Sequence, residues 1–267
     1  MEILQKLVAI DLNYIIAGLM VLIYSLERLM ENQIKASNPS AHWVNNFVFQ
    51  VIFFGLNFLW AYVVVYCIEW LNSREIGLFY MVDMPYWVKI ILGVAMFDFV
   101  TYWFHRLGHV VPLLWRFHRV HHSDTQMDAS TNFRGHPMEI FLWFGIGNLL
   151  AAALFGLDLF TFGVYFLVAT PIFFLEHANL RFPVWLDKTL GLVFTTPNLH
   201  KIHHDQDRHY TDSNFSDIFI LWDRLFGTYT YKPVDQIKPG LEEFDTPERQ
   251  TFWYLLKTPF LNIKKPQ

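Results

Sequence analysis

The chain has 267 residues, of which 54% are hydrophobic, 18% aromatic and only 16% charged. An average soluble domain carries roughly 25% charged residues, so this composition indicates a membrane protein. The net charge of -4, without a basic patch interleaved with aromatics, argues against nucleic-acid binding, and the single cysteine, Cys67, excludes an intrachain disulfide and a thiolate metal site.

Five apolar stretches are candidate membrane spans, since a spanning helix needs about 20 apolar residues. In chain order they cover approximately residues 12–27, 47–70, 86–104, 138–156 and 158–176. The first thirty residues lack a basic start and a small-residue cleavage site, which favours a retained span over a signal peptide. The last two stretches are separated only by a turn, and they form either two full crossings or a re-entrant pair. We therefore expect an all-α membrane bundle of four to five spans or re-entrant helices, with residues 1–267 as one domain.

The distribution of lysine and arginine predicts how the bundle is oriented. If the spans alternate, only Lys6, Arg74 and Lys89 of the 20 basic residues lie on the side away from the histidine-rich segments described next. The positive-inside rule then makes the histidine side cytoplasmic. The expected location is a bacterial inner membrane or, in a eukaryote, the endoplasmic reticulum. The ending Lys264-Lys265-Pro266-Gln267 fits a dilysine retrieval pattern on a cytoplasmic tail.

Histidines are concentrated after the third and fifth predicted spans. The first segment reads HRLGHVVPLLWRFHRVHH and the second NLHKIHHD. Residues three and four apart on a helix point the same way, so each segment can direct several imidazoles to one point. Imidazole suits iron, zinc, copper and nickel. The spacing predicts a multi-histidine metal centre, with candidate ligands His105, His109, His118, His121, His122, His200, His203 and His204.

Asp98 lies inside the third span, two helical turns before His105, and therefore on the same helix face. A carboxylate inside a span is costly and usually functional. Asp98 either hydrogen-bonds a ligand imidazole and fixes its tautomer, without being a ligand itself, or pairs with Arg106.

Four further histidines need separate interpretation. His177 lies where the fifth span surfaces beside the clusters, and we predict it as a ninth ligand. His136 precedes a proline at the start of the fourth span; it is either a tenth ligand or a loop histidine at a helix N-terminus. His42 and His209 lie outside helical register with the clusters, so we leave both out of the site.

After the fifth span the chain becomes polar and aromatic. The amphipathic stretch Phe219 to Tyr229 is expected to cap or cover the metal site. Thr246-Pro247-Glu248 predicts a helix start with threonine as the N-cap and proline in the first turn, followed by a helix suited to the membrane interface. Four acids flank the clusters and are candidates to orient a ligand, although the last is equally suited to pairing with Arg224 or capping a turn: Asp124, Asp205, Asp217 and Asp223.

The ordered motifs Asp98-x6-His105-Arg-x-x-His109, His118-x-x-His121-His122, His177-Ala-Asn, His200-x-x-His203-His204 and Asn214-Phe…LWDRLFGTY resemble the fatty acid hydroxylase/sterol desaturase superfamily. The resemblance covers residues 90–230. It implies a membrane enzyme with two non-haem iron ions that uses dioxygen to hydroxylate, or desaturate, a lipid such as a sterol or an acyl lipid. By position, it also implies the iron ligands His105, His109, His118, His121, His122, His177, His200, His203 and His204.

The source of electrons must lie outside this chain if that expectation holds. The sequence contains no Gly-rich nucleotide fingerprint, no His-Pro-Gly-Gly haem segment and no cysteine set for an iron–sulfur cluster. We expect a separate donor, either a b-type cytochrome or a ferredoxin with its reductase. Two other interpretations stay open: a metal-binding membrane protein without redox catalysis, and a non-catalytic assembly partner. The intact histidine motifs argue against the assembly partner.

Overall fold

A computed structural model describes residues 1–30, 34 and 39–263 of the chain. In these ranges the regular secondary structure is helical throughout, which confirms the all-α prediction. The ending Lys264-Lys265-Pro266-Gln267 lies outside the described residues, so its predicted retrieval role stays a prediction.

The helices follow one another with short connections over the described part of the chain. The α-helices are α1 Glu2–Val8, α2 Leu12–Leu29, α3 Pro39–Ser73, α4 Tyr86–Val110, α5 Pro112–His122, α6 Pro137–Glu139, α7 Asn148–Phe155, α8 Leu159–His177, α9 Trp185–Lys188, α10 Pro197–His203, α11 Arg208–Thr211, α12 Leu221–Phe226 and α13 Phe252–Lys257. A π-helix, Ile140–Gly147, joins α6 to α7 without a break. Short 3-10 helices occupy Leu78–Tyr80, Ala129–Phe133, Leu190–Leu192, Val234–Gln236, Glu242–Phe244, Pro247–Gln250 and Thr258–Phe260.

Among the described residues, five helical stretches are long and apolar enough to cross a membrane, as the sequence predicted: Leu12–Leu29, Ser40–Tyr80, Tyr86–Val110, Pro137–Phe155 and Leu159–His177. The main difference is the start of α3, eight residues before the predicted span. The extra turns are stabilised by polar contacts, because His42 and Asn46 hydrogen-bond the Asp124 carboxylate at 2.9 and 3.2 Å. This helix therefore continues beyond the apolar segment.

Helices α4 and α8 lie at the centre of the bundle. Phe97 of α4 stacks on Tyr165 of α8, with ring centroids 3.9 Å apart. The predicted turn between α7 and α8 is present: Gly156 ends α7 in the left-handed conformation that favours glycine (φ 71°). Asp158 then caps α8 by accepting the Thr161 N–H at 2.8 Å. Helices α4 and α8, which both carry candidate ligand histidines, are thus held together by a common apolar core.

The C-terminal segment wraps around the histidine end of the bundle. A helix begins after Thr246 with Pro247 in its first turn, as predicted, but it is the 3-10 helix Pro247–Gln250, and the Thr246 side chain makes no capping hydrogen bond. The Gln250 amide donates back to the Phe244 carbonyl at 2.7 Å and so ends that turn. Helix α13 begins only at Phe252, whose N–H is accepted by Asn45 of α3 at 2.8 Å. The cap comes from a residue 207 positions earlier, which local sequence does not reveal.

Candidate metal centre

All nine predicted ligand histidines lie at one end of the bundle, and they form two adjacent groups. The group of five contains His105, His109, His118, His122 and His203, and the group of four contains His121, His177, His200 and His204. Within each group one nitrogen per ring lies within 4.8 Å of the others. Helices α4, α5, α8 and α10 supply these side chains, so each group joins segments distant in sequence.

The Nε2 atoms converge in both groups. In the group of five, His122 Nε2 lies 3.1 Å from the Nε2 atoms of both His109 and His118. In the group of four, His177 Nε2 lies 3.2 Å from that of His121 and 3.1 Å from that of His200. The two groups touch where the rings of His122 and His204 stack, with centroids 4.5 Å apart.

The opposite ring nitrogen, Nδ1, meets an acceptor in six of the nine histidines. His105 contacts the Phe215 carbonyl and His203 the Ser213 carbonyl, both at 2.7 Å. The other four acceptors are Asp212 for His109, Glu139 for His118, the Arg134 carbonyl for His121 and the Phe173 carbonyl for His177. An acceptor at Nδ1 holds the proton there and leaves Nε2 free to bind a metal.

Burial keeps the imidazoles uncharged, as metal binding requires. Removal from water lowers the pKa of His118 to about 3. The same cause, reinforced by neighbouring imidazoles, holds the pKa of four further cluster histidines well below the usual value: His121, His122, His203 and His204. The cluster is therefore a set of neutral nitrogen donors at pH 7.

Two buried imidazole nitrogens without a hydrogen-bond partner indicate whether a metal ion fits the site. His105 Nε2 and His203 Nε2 are buried and have no hydrogen-bond partner in the described part of the chain, although each ring's Nδ1 is satisfied. A buried polar atom without a partner is costly. A divalent metal with a preference for nitrogen ligands removes that cost, so the donor set fits iron or zinc.

Asp98 does not contact an imidazole or Arg106, and both expected roles are wrong. Its carboxylate instead accepts the backbone N–H groups of Ile218 and Phe219, both at 2.9 Å, and the indole N–H of Trp222 at 3.0 Å. The span places Asp98 beside a loop whose N–H groups lack backbone partners, and these satisfy the carboxylate. Asp98 therefore supports the loop whose Phe215 carbonyl orients His105.

His136 lies outside both groups. Its Nδ1 accepts the Met138 N–H at 3.1 Å, and its Nε2 contacts the Leu256 carbonyl at 3.2 Å. It serves as the N-cap of α6, the second of the two roles that the sequence left open. His42 and His209 also lie outside the groups, as predicted.

The flanking acids have structural contacts. Asp223 accepts the Phe215 and Ser216 N–H groups at 2.8 and 2.9 Å and so caps a turn. Arg224 donates instead to the Gly191 carbonyl, so the alternative ion pair is absent between these two residues. Asp205 binds Lys232. Two acids that hydrogen-bond candidate ligands, Asp212 and Glu139, were not predicted from the sequence. A third acid, Glu176, lies 3.9 Å from His200 Nδ1.

The stretch Phe219 to Tyr229 packs along the side of α4. Phe226 stacks on Tyr102 with ring centroids 5.5 Å apart, and Trp222 contacts Phe99 at 5.2 Å. This stretch is connected to the metal centre indirectly, because Asp98 and Asp223 accept hydrogen bonds from the loop that precedes it.

In the described part of the chain, three cavities adjoin one another between the histidines and the outside of the bundle. A cavity of about 150 Å³ lies against both histidine groups and also contacts Glu139, Glu176 and Trp143. An apolar cavity of about 270 Å³ between α2, α3, α7 and α8 shares four lining residues with it: Phe53, Asn132, Phe133 and Phe173. A third cavity, between α2 and α3, shares Asn57 and Ala61 with the second and reaches Phe58, which is 63% exposed. The three adjoining cavities therefore form a largely apolar row between exposed residues of α3 and the histidines.

The fold and the histidine geometry agree with comparisons against known proteins. The family model described as Fatty acid hydroxylase matches residues 90–228, more than half of the chain. The chain therefore belongs to the fatty acid hydroxylase family, which confirms the superfamily resemblance.

Several curated relatives are similar over the same region. Human alkylglycerol monooxygenase is 30% identical over 174 residues, 61% of this chain and 35% of the relative. The ornithine lipid hydroxylase OlsE of Rhizobium tropici is 30% identical over 149 residues, 56% of this chain and 44% of the relative. The very-long-chain aldehyde decarbonylase GL1-8 of rice (Oryza sativa subsp. indica) is 32% identical over 160 residues, 58% of each chain. The chain thus spans less than two thirds of these relatives. No solved structure matches it.

Proposed function

We propose that this protein is a membrane-bound oxygenase with two non-haem iron ions that hydroxylates a lipid with dioxygen. The observation that carries the proposal is the division of nine imidazoles, eight of them buried, into groups of five and four beside a cavity that adjoins a largely apolar one. Relatives named as a monooxygenase and a lipid hydroxylase support the same reaction class. Hydroxylation is preferred over desaturation on this ground.

The residues have distinct roles in this proposal. The group of five and the group of four would each hold one iron, and the irons when bound supply the electron chemistry that lets dioxygen attack an unactivated C–H bond. The chain itself fixes the Nε2 atoms through the Nδ1 contacts and keeps them uncharged by burial. Phe133, Phe173 and Trp143 line the cavity at the histidines and exclude water from the reacting carbon.

The lipid would enter from the bilayer, between α2 and α3. Sterols and acyl lipids suit the apolar lining, and the relatives named for alkylglycerols and ornithine lipids extend the candidate class to glycerol ethers and amino-acid lipids. Electrons would come from a separate b-type cytochrome or ferredoxin that docks on the histidine side, which we place in the cytoplasm from the charge asymmetry.

Metal content provides the first test of the proposal. The purified protein should hold close to two irons per chain and consume oxygen when reduced. His121→Ala removes a ligand from the group of four and His203→Ala one from the group of five, so each should leave about one iron per chain and no turnover. His209→Ala changes an exposed histidine outside both groups and should leave two irons.

Two other results of the metal analysis would contradict the proposal. Bound zinc, with no oxygen response after reconstitution with iron, would support a metal-binding membrane protein without redox catalysis. Loss of both metals in each single variant would contradict the assignment of one ion to each group.

A further inference from the structure

Asn148 is a polar side chain buried in the middle of an apolar span. It is the first residue of α7, it is 6% exposed, and its amide has no hydrogen-bond partner among the residues that the structure describes. Burying an amide without a partner costs free energy, so such a group calls for an explanation. A polar residue in this position is suited to bind something that the protein chain itself does not provide.

Asn148 lies where two cavities meet. It lines the apolar cavity of about 270 Å³, and it also lines a smaller one of about 60 Å³ that contacts Thr101, Trp143 and Asp217. These last three residues line the cavity at the histidines as well. Asn148 therefore stands between the entrance from the lipid side and the metal centre.

Asn148 follows directly on the π-helix Ile140–Gly147, which carries Trp143. Trp143 stacks on His118 with ring centroids 5.4 Å apart. Trp143 and Asn148 line the same small cavity. This helical segment thus presents an aromatic ring to the histidines and an amide to the cavity that leads toward them.

The other polar groups of the larger cavity define what the amide can recognise. Asn13, Asn57, Asn132 and Thr170 also line this cavity. All of these groups are uncharged, and no charged side chain lines this cavity within the same ranges. A phosphate or carboxylate would therefore remain unpaired here, whereas an ether, ester or hydroxyl oxygen would find a donor.

We propose that Asn148 is a specificity-determining residue that donates a hydrogen bond to an ether or ester oxygen within the lipid substrate and so selects lipids that carry such an oxygen over analogues that have a methylene in its place. This inference rests on the proposed lipid hydroxylase function. It adds the chemical class of the substrate and the residue that recognises it. The oxygen would sit near Asn148, with the reacting carbon farther along the cavity toward the histidines.

Equilibrium binding to two matched lipids tests the proposal. The probes are tritiated 1-O-hexadecylglycerol and icosane-1,2-diol, in which a methylene replaces the ether oxygen, with the purified protein in detergent micelles. The wild-type protein should bind the ether about five- to tenfold more tightly, since a site built for a hydrogen bond discriminates against an analogue that lacks it. Asn148→Leu, close in shape but without a donor, should bind both probes equally.

Two further variants keep the outcome decisive. Asn148→Ser retains a donor and should keep part of the preference, and Asn262→Leu, which changes an exposed asparagine that lines none of these cavities, should keep all of it. Unfolding midpoints identify any variant that fails to fold. Equal binding of both probes to the wild-type protein, or a preference that survives Asn148→Leu, would overturn the proposal.

The binding measurement separates this inference from the proposed function. A preference for the ether that depends on Asn148, in a protein that never consumes oxygen, would support the recognition site and refute the oxygenase. Oxygen-dependent turnover without any preference for the ether would support the oxygenase and refute the recognition site.

Discussion

The indole of Trp143 lies flat against the imidazole of His118, with ring planes only 16° from parallel. Gly108 of α4 leaves the space for it, since an ideal Cβ at this position would lie 2.6 Å from Trp143 Cζ2. A rigid ring system has little freedom to move out of the way. The Trp143–His118 contact therefore depends on the absence of a side chain at residue 108.

We predict that Gly108→Ala displaces Trp143 and lowers the free energy of unfolding by about 1–3 kcal/mol, the usual cost of overpacking. The unfolding midpoint in detergent measures the loss. Gly55→Ala is the matched control, because a Cβ at Gly55 meets nothing within 4 Å. An unchanged midpoint for Gly108→Ala would show that the indole moves freely.

Asp98→Asn should destabilise the loop that orients His105. The carboxylate accepts three hydrogen bonds, and an amide offers one oxygen while directing its NH₂ group at a donor. We expect a loss of about 1–3 kcal/mol in the free energy of unfolding. Iron affinity of the group of five should fall roughly 10- to 100-fold, as when groups that orient metal ligands are removed.

Asp83→Asn, on the exposed loop before α4, serves as the control for this experiment and should change neither quantity. Metal titration followed by elemental analysis separates the two effects. Normal iron affinity in a destabilised Asp98→Asn protein would show that the loop does not position His105.

The metal-free protein should lose stability as the pH falls below about 6.5. An imidazole in the unfolded chain takes up a proton near that pH, whereas the pKa of folded His118 is about 3. Protonation therefore favours the unfolded chain, and by pH 5 one such group reduces the free energy of unfolding by about 2 kcal/mol. Unfolding midpoints between pH 7.5 and 5 should decrease steeply, and less so for His118→Gln, which does not titrate. A flat profile would mean that the cluster is accessible to water.

The spans and the nine ligand candidates could be predicted because both depend on local spacing. Apolar runs and i,i+3 or i,i+4 histidines are visible in short windows of sequence, and the structure places all nine histidines together. The contacts around them were harder to predict. His109 meets Asp212 across 103 residues and His42 meets Asp124 across 82, and no local pattern marks either pair.

Some missed residues did carry a signal. Glu139 and Asn148 are polar residues within or at the edge of an apolar span, and that pattern indicates function. The π-helix that separates them left no recognisable mark in the sequence. Helix periodicity placed Asp98 on the same face as His105 but could not predict its hydrogen-bond partner. That partner is the backbone of Ile218, 120 residues later in the chain.

The division of the ligands among α4, α5, α8 and α10 sets an order of events in biogenesis. The group of four needs His121, His177, His200 and His204, so neither chain synthesis nor membrane insertion of the early helices can complete it. An ion bound there, as we propose, could be enclosed only after both α8 and α10 have been synthesised. It would then join helices that lie far apart in the chain and that were made at different times.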